Sequence, residues 1–303
     1  MNGRYMKILV TGSSGMLGTD LCDVLADKHD VVGIDIARGK GQESRVKKFH
    51  EVDITELEAA RKVIEAEQPD IIVHAAAWTD VDGCEREQDK AEKINVEGTR
   101  NIASVSELAG IPVVLVSTDY VFDGEKTAPY VESDLPGPLG VYGRTKLESE
   151  KIVMKSLTYY VIVRTSWLYG RYGRNFVDTI VTKGETGEKL EVVEDQTASP
   201  TYTKDLANAL KRIIASGVAA GQEILHISNA GQCSWCEFAK KILALKNINT
   251  EVKGISSERC GRPAKRPGFS VLDNGRFNKL LGCQMRPWQE ALAEYLGESH
   301  GAR

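Results

Sequence analysis

The chain has 303 residues, of which 42% are hydrophobic and 27% charged, and its formal net charge is −4. This length suits one large α/β domain with a smaller appended one, and the acidic balance gives no support to nucleic-acid binding. No apolar run approaches the roughly 20 residues that cross a bilayer, and the first apolar run, residues 8–10, is too short for a signal peptide. We therefore expect a cytoplasmic protein without nucleic-acid or membrane partners.

Six cysteines are spread along the chain, and only Cys233 and Cys236 have the Cys-x-x-Cys spacing of a metal or redox site. A structural zinc would need a second pair of ligands, and neither another Cys-x-x-Cys nor a pair of nearby histidines is present. In a reducing compartment such cysteines are free thiols. The sequence therefore predicts no metal site built from cysteine.

The first half of the chain alternates short apolar runs with amphipathic stretches. This alternation predicts a parallel sheet covered by helices on both faces, with right-handed crossovers. The expected fold class is α/β, a doubly wound Rossmann-type sheet with ligands at the carboxyl ends of its strands. The predicted strands cover residues 7–10, 30–35, 49–53, 70–74, 112–116 and 160–164, and the predicted helices cover residues 16–27, 57–64, 94–105 and 145–155.

A glycine-rich turn joins the first strand to the first helix. Gly12, Gly15 and Gly18 form the pattern G-x-x-G-x-x-G. Glycines permit a tight turn and let backbone N–H groups approach a pyrophosphate, to which the helix N-terminus adds a partial positive charge. The turn predicts a dinucleotide site whose candidate residues are Gly12, Ser14, Gly15, Met16, Leu17 and Gly18.

Asp35 ends the second predicted strand, where a carboxylate can accept hydrogen bonds from the adenine ribose hydroxyls. It favours NADH, because it would repel the 2′-phosphate of NADPH. Arg38 and Lys40 follow closely and could hold that phosphate, so NADPH stays open. Asp53 and Ile54, after the third strand, are further candidates for cofactor binding.

Tyr142 and Lys146 are four residues apart, and a helix through them would place both on one face. A lysine cation lowers the pKa of a nearby phenol from its usual value of about 10. Such a tyrosine can give a proton to an alkoxide that forms on a reduced carbonyl. Thr118 and Asp119 end the fifth predicted strand, at the sheet edge where ligands bind.

Together these motifs resemble the dTDP-4-dehydrorhamnose reductase family of extended short-chain dehydrogenases. The most specific match is the string Ser-Thr-Asp-Tyr-Val-Phe at residues 117–122, and the likeness covers nearly the whole chain. The matching segments are residues 12–18, 117–124, 142–146, 164–169, 195–201, 266–272 and 286–292.

The resemblance implies a fold, a reaction and a set of site residues. The reaction moves a hydride from NAD(P)H to C4 of a dTDP-4-keto-6-deoxy-L-hexose and gives dTDP-L-rhamnose. Some family members form dimers through a magnesium ion held by acidic residues, but only Asp20 matches such a position here. The implied roles are Tyr142 as proton donor, Lys146 as its partner, Thr118 completing the catalytic group, Ala75, Ala76 and Ala77 at the nicotinamide, and Thr118, Asp119, Trp167 and Asn175 at the sugar nucleotide.

The alternation of strands and helices loosens after residue 165. We therefore expect an NAD(P)-binding domain over residues 1–165 and a smaller C-terminal substrate-binding lobe over residues 166–303. Residues 200–217 are expected to pack back on the first domain, which leaves residues 166–199 and 224–303 as the main part of the lobe. In that lobe a basic run includes Arg262 and Arg266, and Arg266 is the candidate for the substrate pyrophosphate.

Two alternatives remain open from the sequence. The same scaffold could serve a reductase or epimerase of another nucleotide sugar. It is also used by non-catalytic NADP-binding regulatory subunits, such as that of methionine adenosyltransferase. Intact Tyr142, Lys146 and Thr118 favour an enzyme, and a homodimer is a further expectation.

Overall fold

The computed structural model describes residues 5–39 and 46–298. The strands, in chain order, are β1 (Lys7–Thr11), β2 (Asp30–Asp35), β3 (Lys48–Glu51), β4 (Ile71–His74), β5 (Val113–Thr118), β6 (Tyr160–Thr165), β7 (Leu168–Tyr169), β8 (Leu190–Val193), β9 (Thr197–Ala198), β10 (Thr201–Tyr202), β11 (Gln222–His226), β12 (Cys233–Ser234) and β13 (Val252–Ile255). The α-helices are α1 (Met16–Ala26), α2 (Leu57–Glu67), α3 (Val81–Arg86), α4 (Gln88–Ala91), α5 (Gly98–Ala109), α6 (Val141–Ser156), α7 (Phe176–Glu185), α8 (Thr203–Ser216), α9 (Trp235–Leu245), α10 (Ser257–Cys260), α11 (Gly275–Leu281) and α12 (Trp288–Glu298). None of these helices is long and apolar enough to cross a membrane.

Seven strands form one parallel sheet in the order β11-β6-β5-β4-β1-β2-β3. Along β1, Ile8 and Val10 face one helix layer and Leu9 faces the other, and all three are fully buried. A strand buried on both faces must be apolar throughout, which explains the continuous apolar runs of the sequence. The doubly wound fold class is confirmed.

Helices α1 and α8 cover one face of the sheet, where Leu21 and Leu210 belong to the same core cluster. Helices α2, α5 and α6 cover the other face. One part of the sequence-based division is wrong: residues 224–226 were assigned to the second lobe, but they lie in β11 and pair with β6. Helix α11 packs behind β11 and adds Phe277 to the core of the sheet.

The rest of the C-terminal half has its own core. Phe238 of α9, Leu292 of α12 and Val177 of α7 belong to one buried cluster, beside the two-stranded parallel pair β8–β13. Helix α9 begins with a capping box, in which the Ser234 hydroxyl accepts from the Glu237 amide and the Glu237 carboxylate accepts from the Ser234 amide. This cap fixes the start of α9, and therefore the position of its first residue, Trp235.

Candidate active site

The turn between β1 and α1 leaves no room for side chains at Gly12 and Gly18. Gly12 has a φ of +68°, and a Cβ there would lie 2.7 Å from the backbone of Ala76. A Cβ on Gly18 would collide with the carbonyl oxygen of Gly12, to which the Gly15 amide donates at 3.0 Å. The first turn of α1 therefore presents backbone N–H groups at close range, which fits the pyrophosphate of a dinucleotide.

A cavity of about 920 Å³ opens at the carboxyl ends of β1, β2, β4, β5 and β6. It is lined by the residues predicted from the sequence for cofactor, substrate and catalysis, except Arg266 and Lys40, of which Lys40 lies outside the described residues. These residues are Gly12, Ser14, Gly15, Met16, Leu17, Gly18, Asp35, Asp53, Ile54, Ala75, Ala76, Ala77, Thr118, Asp119, Tyr142, Lys146, Trp167 and Asn175.

Asp35 is tied to the glycine turn. Its Oδ2 accepts from the Ser14 amide at 2.9 Å, and its Oδ1 accepts from the Ile36 amide at 2.7 Å. Arg38 also lines the cavity, and its guanidinium carbon lies 5.6 Å from the centroid of the Phe49 ring. Lys40, the other candidate for a 2′-phosphate, lies outside the described residues. The carboxylate and the guanidinium that would discriminate between the two cofactors thus lie on the same rim.

Tyr142 and Lys146 lie one turn apart on α6, which begins earlier than predicted. Gly143 permits close packing, because a Cβ there would collide with the carbonyl oxygen of Tyr120. Burial raises the pKa of Tyr142 and a hydrogen bond with Thr118 opposes the rise, so the net lowering expected from the sequence is not found. Burial lowers the pKa of Lys146 to about 8. At neutral pH, therefore, Tyr142 keeps its phenolic proton and Lys146 is mostly in its charged ammonium form.

The Thr118 hydroxyl is held by its neighbours. It donates to Asp119 Oδ1 at 3.1 Å and accepts from the Tyr120 amide at 3.2 Å. The second carboxylate oxygen of Asp119 accepts from the Ser270 hydroxyl at 2.5 Å. Burial raises the pKa of Asp119 to about 7, although both hydroxyl donors oppose the rise. Asp119 is only 1% exposed. Its carboxylate is hydrogen-bonded to Thr118 and Ser270 and offers little surface to the cavity.

Two tryptophans stack at the edge of the cavity. The ring centroids of Trp167 and Trp235 lie 3.5 Å apart, with an angle of 10° between the planes, and Phe176 packs against Trp235 at 4.5 Å. Trp167 has a φ of 45°, a left-handed conformation that is rare for a bulky residue and is often found at functional sites. Sequence reasoning identified Trp167 but missed Trp235, whose only local signal was the capping box before it.

Asn175 lies in the cavity wall, but its amide is used within the protein. Its side-chain oxygen caps α7 by accepting from the Asp178 amide at 3.0 Å. Its nitrogen donates to the Gly170 carbonyl at 2.9 Å and to the Tyr295 hydroxyl at 3.1 Å. These contacts give Asn175 a structural role that the sequence did not indicate.

Arg266 lies in a second cavity, of about 730 Å³, rather than in the first. The two cavities share Val81, Tyr120, Phe176 and Trp235 in their walls, so they adjoin. Arg266 is already paired, because its Nη2 lies 3.0 Å from Asp82 Oδ2. Any role at a pyrophosphate would have to be compatible with that ion pair.

Asn95 is a residue that the sequence analysis did not single out. Its side chain accepts from the Trp78 amide at 2.7 Å and donates to Thr145 on α6 at 3.0 Å. Its carbonyl accepts from the Thr99 and Ser149 hydroxyls at 2.6 and 2.7 Å. Residues Glu92–Glu97 form a π-helical turn, so α5 starts later than predicted. Turns of this kind are frequent at functional sites, and this one ties the loop after β4 to α6.

Asp20, the one residue matched to a magnesium position, has a hydrogen-bond partner within the chain. The Asp20 carboxylate is buried and accepts from the Thr203 hydroxyl. Within residues 5–39 and 46–298, no group of three or more His, Cys, Asp or Glu side chains could hold a metal ion. All six cysteines are free.

The parallel sheet, the glycine turn and the Tyr-x-x-x-Lys helix at its carboxyl edge define a nicotinamide-dependent oxidoreductase of the short-chain dehydrogenase type. A family model described as the RmlD substrate binding domain matches residues 6–300. The chain belongs to this family, that of the dTDP-4-dehydrorhamnose reductases.

Individual relatives agree over nearly the full length. The chain is 39% identical to the spore coat polysaccharide biosynthesis protein SpsK of Bacillus subtilis, covering 98% of this chain and 99% of that one. It is 35% identical to a dTDP-4-dehydrorhamnose reductase of Aggregatibacter actinomycetemcomitans, covering 94% and 97%. The solved dTDP-4-dehydrorhamnose reductase of Bacillus anthracis, in complex with NADP, superposes with a TM-score of 0.89 at 37% identity, covering 97% and 100%.

Proposed function

We propose that this protein reduces the C4 keto group of a nucleotide-linked 4-keto-6-deoxy sugar with NADH or NADPH, and that its substrate is dTDP-4-dehydro-L-rhamnose. The observation that carries this proposal is the convergence of Tyr142, Lys146 and Thr118 with the glycine turn on one cavity. Membership of the reductase family supports the class of reaction, and the name of the Aggregatibacter relative supports the choice of substrate.

The cofactor would lie between the glycine turn and α6. The glycine turn fits the cofactor, because without Cβ atoms its backbone stays open to the pyrophosphate. Gly12–Gly18 would hold the pyrophosphate, Asp35 the adenine ribose, and Ala75–Ala77 the nicotinamide half. We infer from Asp35 that NADH is used at least as well as NADPH, although the Bacillus anthracis relative was solved with NADP and Arg38 lies nearby. When bound, the nicotinamide supplies the hydride that reduces the carbonyl carbon.

The residues of this chain would supply the proton and hold the substrate. Tyr142 is protonated at neutral pH and donates its phenolic proton to the oxygen that becomes the new hydroxyl. The Lys146 ammonium stabilises the phenolate that is left, since a positive charge favours the ionised form. When the substrate binds, the Thr118 hydroxyl would turn its single proton from Asp119 Oδ1 to the carbonyl oxygen and so keep that oxygen near the phenol.

The substrate would span both cavities. The sugar fits the first cavity beside Trp167 and Asp119, and the nucleotide fits the second, where Arg266 and Arg262 supply positive charge. Both arginines contact Asp82, so the three side chains together carry a net charge of about +1. A pyrophosphate is a suitable partner for this charge.

One assay separates this proposal from its alternatives. Purified protein is mixed with NADH or NADPH and dTDP-4-dehydro-L-rhamnose, and the loss of absorbance of the reduced cofactor is followed. Turnover with formation of dTDP-L-rhamnose supports the proposal. Turnover with only another keto sugar nucleotide would indicate a different substrate. Cofactor binding without any turnover would favour a regulatory subunit. A cytoplasmic location and a homodimer stay predictions.

A further inference from the structure

A buried ion pair lies beneath the candidate active site and has no part in the chemistry proposed above. Glu150 on α6 and Arg164 on β6 have side chains that are 0% and 3% exposed. Arg164 donates through Nη2 to Glu150 Oε2 at 2.7 Å and through Nε to Oε1 at 3.0 Å. Because replacing a buried ion pair by apolar side chains often leaves stability unchanged or raises it, stability alone does not account for these charges.

Glu150 connects two parts of the site. It follows Lys146 by one turn of α6, so both side chains lie on the same face of the helix, and Lys146 is only 3% exposed. Glu150 Oε1 also accepts from the Ser117 hydroxyl at 2.5 Å, and Ser117 directly precedes Thr118. Among the residues that the structure describes, no acceptor lies within hydrogen-bonding distance of the Lys146 ammonium. The protonation state of Lys146 therefore depends more strongly on nearby charges such as that of Glu150.

We propose that Glu150, fixed in position by Arg164, is a positioning residue that keeps Lys146 protonated and thereby sets the alkaline limit of the reaction. The effect on the reaction rests on the proposed reductase function. The effect on Lys146 itself does not, because it follows from the charges around this lysine alone.

The electrostatic environment of Lys146 supports this assignment. Burial lowers the pKa of Lys146 to about 8, and the negative charge of Glu150 opposes that fall. Burial and the charge of Lys146 together lower the pKa of His74 on β4 to about 3, so His74 is neutral and offers no compensating charge. The titratable groups that line the cavity beside Lys146 include Tyr142 on α6 and Asp119 and Tyr120 after β5. On the other side of the ion pair, Nε2 of His226 on β11 lies 3.5 Å from Nη1 of Arg164.

The proposal is tested by following the titration of Lys146 directly. Protein labelled with 13C at the lysine ε carbon is titrated by NMR, and the Lys146 signal is assigned by its loss in Lys146→Met. In Glu150→Gln we expect the midpoint to move down by about one pH unit, the lower end of the effect of a nearby opposite charge. In Arg164→Lys, the matched control that keeps the positive charge, the midpoint should stay within a few tenths of a unit of the parent's, by the same reasoning.

A double variant keeps the test decisive if Glu150→Gln does not fold. Glu150→Gln/Arg164→Gln removes both buried charges and leaves neither unpaired, and its midpoint should still lie below that of the parent. Folding is checked by circular dichroism. An unchanged midpoint in the folded double variant would overturn the proposal, because Glu150 would then serve only the packing of α6 on β6.

The pH profile of kcat gives the second readout. Its alkaline limb should move with the NMR midpoint in each variant, whereas a purely structural role would lower kcat equally at every pH. If the parent protein reduces no keto sugar nucleotide, the proposed function fails, while the lysine titration still decides the role of Glu150.

Discussion

The stacked indole rings of Trp167 and Trp235, with centroids 3.5 Å apart, join the wall of the first cavity to that of the second. Trp235 lines both cavities, and Trp167 takes a left-handed backbone conformation in this arrangement. The stack therefore lies where a sugar nucleotide would pass from the sugar site to the nucleotide site.

Trp235→Ala should raise KM for the sugar nucleotide, because Trp167 loses its stacking partner and the wall between the two cavities opens. Aromatic pairs contribute about 0.5–1.5 kcal/mol beyond the area they bury, so we expect an increase of about threefold to tenfold. Trp235→Phe should restore most of the loss. Steady-state kinetics with each substrate varied in turn measure the effect, and an equal rise in KM for NADH would contradict a role specific to the sugar nucleotide.

Tyr142→Phe should lower kcat by about 10²–10⁴, the usual effect of removing a general acid. Binding of NADH, measured by fluorescence titration, should be retained, because the glycine turn is untouched. Tyr159→Phe is a suitable control, since this tyrosine is 44% exposed and lies outside both cavities. Near-parental turnover in Tyr142→Phe would remove Tyr142 from the role of proton donor.

Asp35→Ala should shift the ratio of kcat/KM for the two cofactors toward NADPH, because the repulsion of the 2′-phosphate is lost. Asp35 also accepts from the Ser14 amide, so the alanine variant disturbs the turn as well. Asp35→Asn removes the charge and keeps one of the two acceptor oxygens, which makes it the milder comparison. A strong preference for NADPH in the unchanged protein would mean that Arg38 or Lys40 decides the choice.

Arg266→Ala should raise KM for the sugar nucleotide about tenfold to hundredfold, the effect of losing a hydrogen bond to a charged group of about 1.5–3 kcal/mol. KM for NADH should stay unchanged. Since Arg266 also pairs with Asp82, Asp82→Asn is the control: it breaks the ion pair but keeps the arginine. If both variants behave alike, or neither changes KM, Arg266 serves the fold and not the substrate.

The stability of the protein should fall as the pH falls below about 6.5, the usual pKa of an unfolded histidine. Burial lowers the pKa of both His74 and His226 to about 3, so between these values the unfolded chain binds protons that the folded chain does not. Each histidine then contributes a loss of up to about 1.4 kcal/mol per pH unit. His226→Gln should make the free energy of unfolding, from urea titrations at pH 7 and pH 5, less dependent on pH. An unchanged dependence would contradict the assignment.

The sequence predicted the strands of the sheet up to β6 and the residues of the glycine turn, because these features depend on neighbouring residues. Leu9 and its apolar neighbours must fill both faces of a buried strand, and Gly12 must adopt a positive φ. The spacing of Tyr142 and Lys146 likewise needs only one helical turn. Strand β11 was missed because Gln222 and Glu223 make half of it polar, and only its pairing with β6 reveals it.

The contacts that complete the site depend on segments far apart in the chain. The Ser270 hydroxyl reaches Asp119 across 151 residues, and no local pattern of charge or hydrophobicity records such a contact. The basic neighbours of Arg266 predicted a contact with a pyrophosphate, but in the folded protein Arg266 forms an ion pair with Asp82. The sequence by itself determined the fold class and most of the residues that line the first cavity. Only the tertiary structure decided which side chains hydrogen-bond to these residues, neutralise their charges or surround them, because such contacts form when distant segments of the chain pack together.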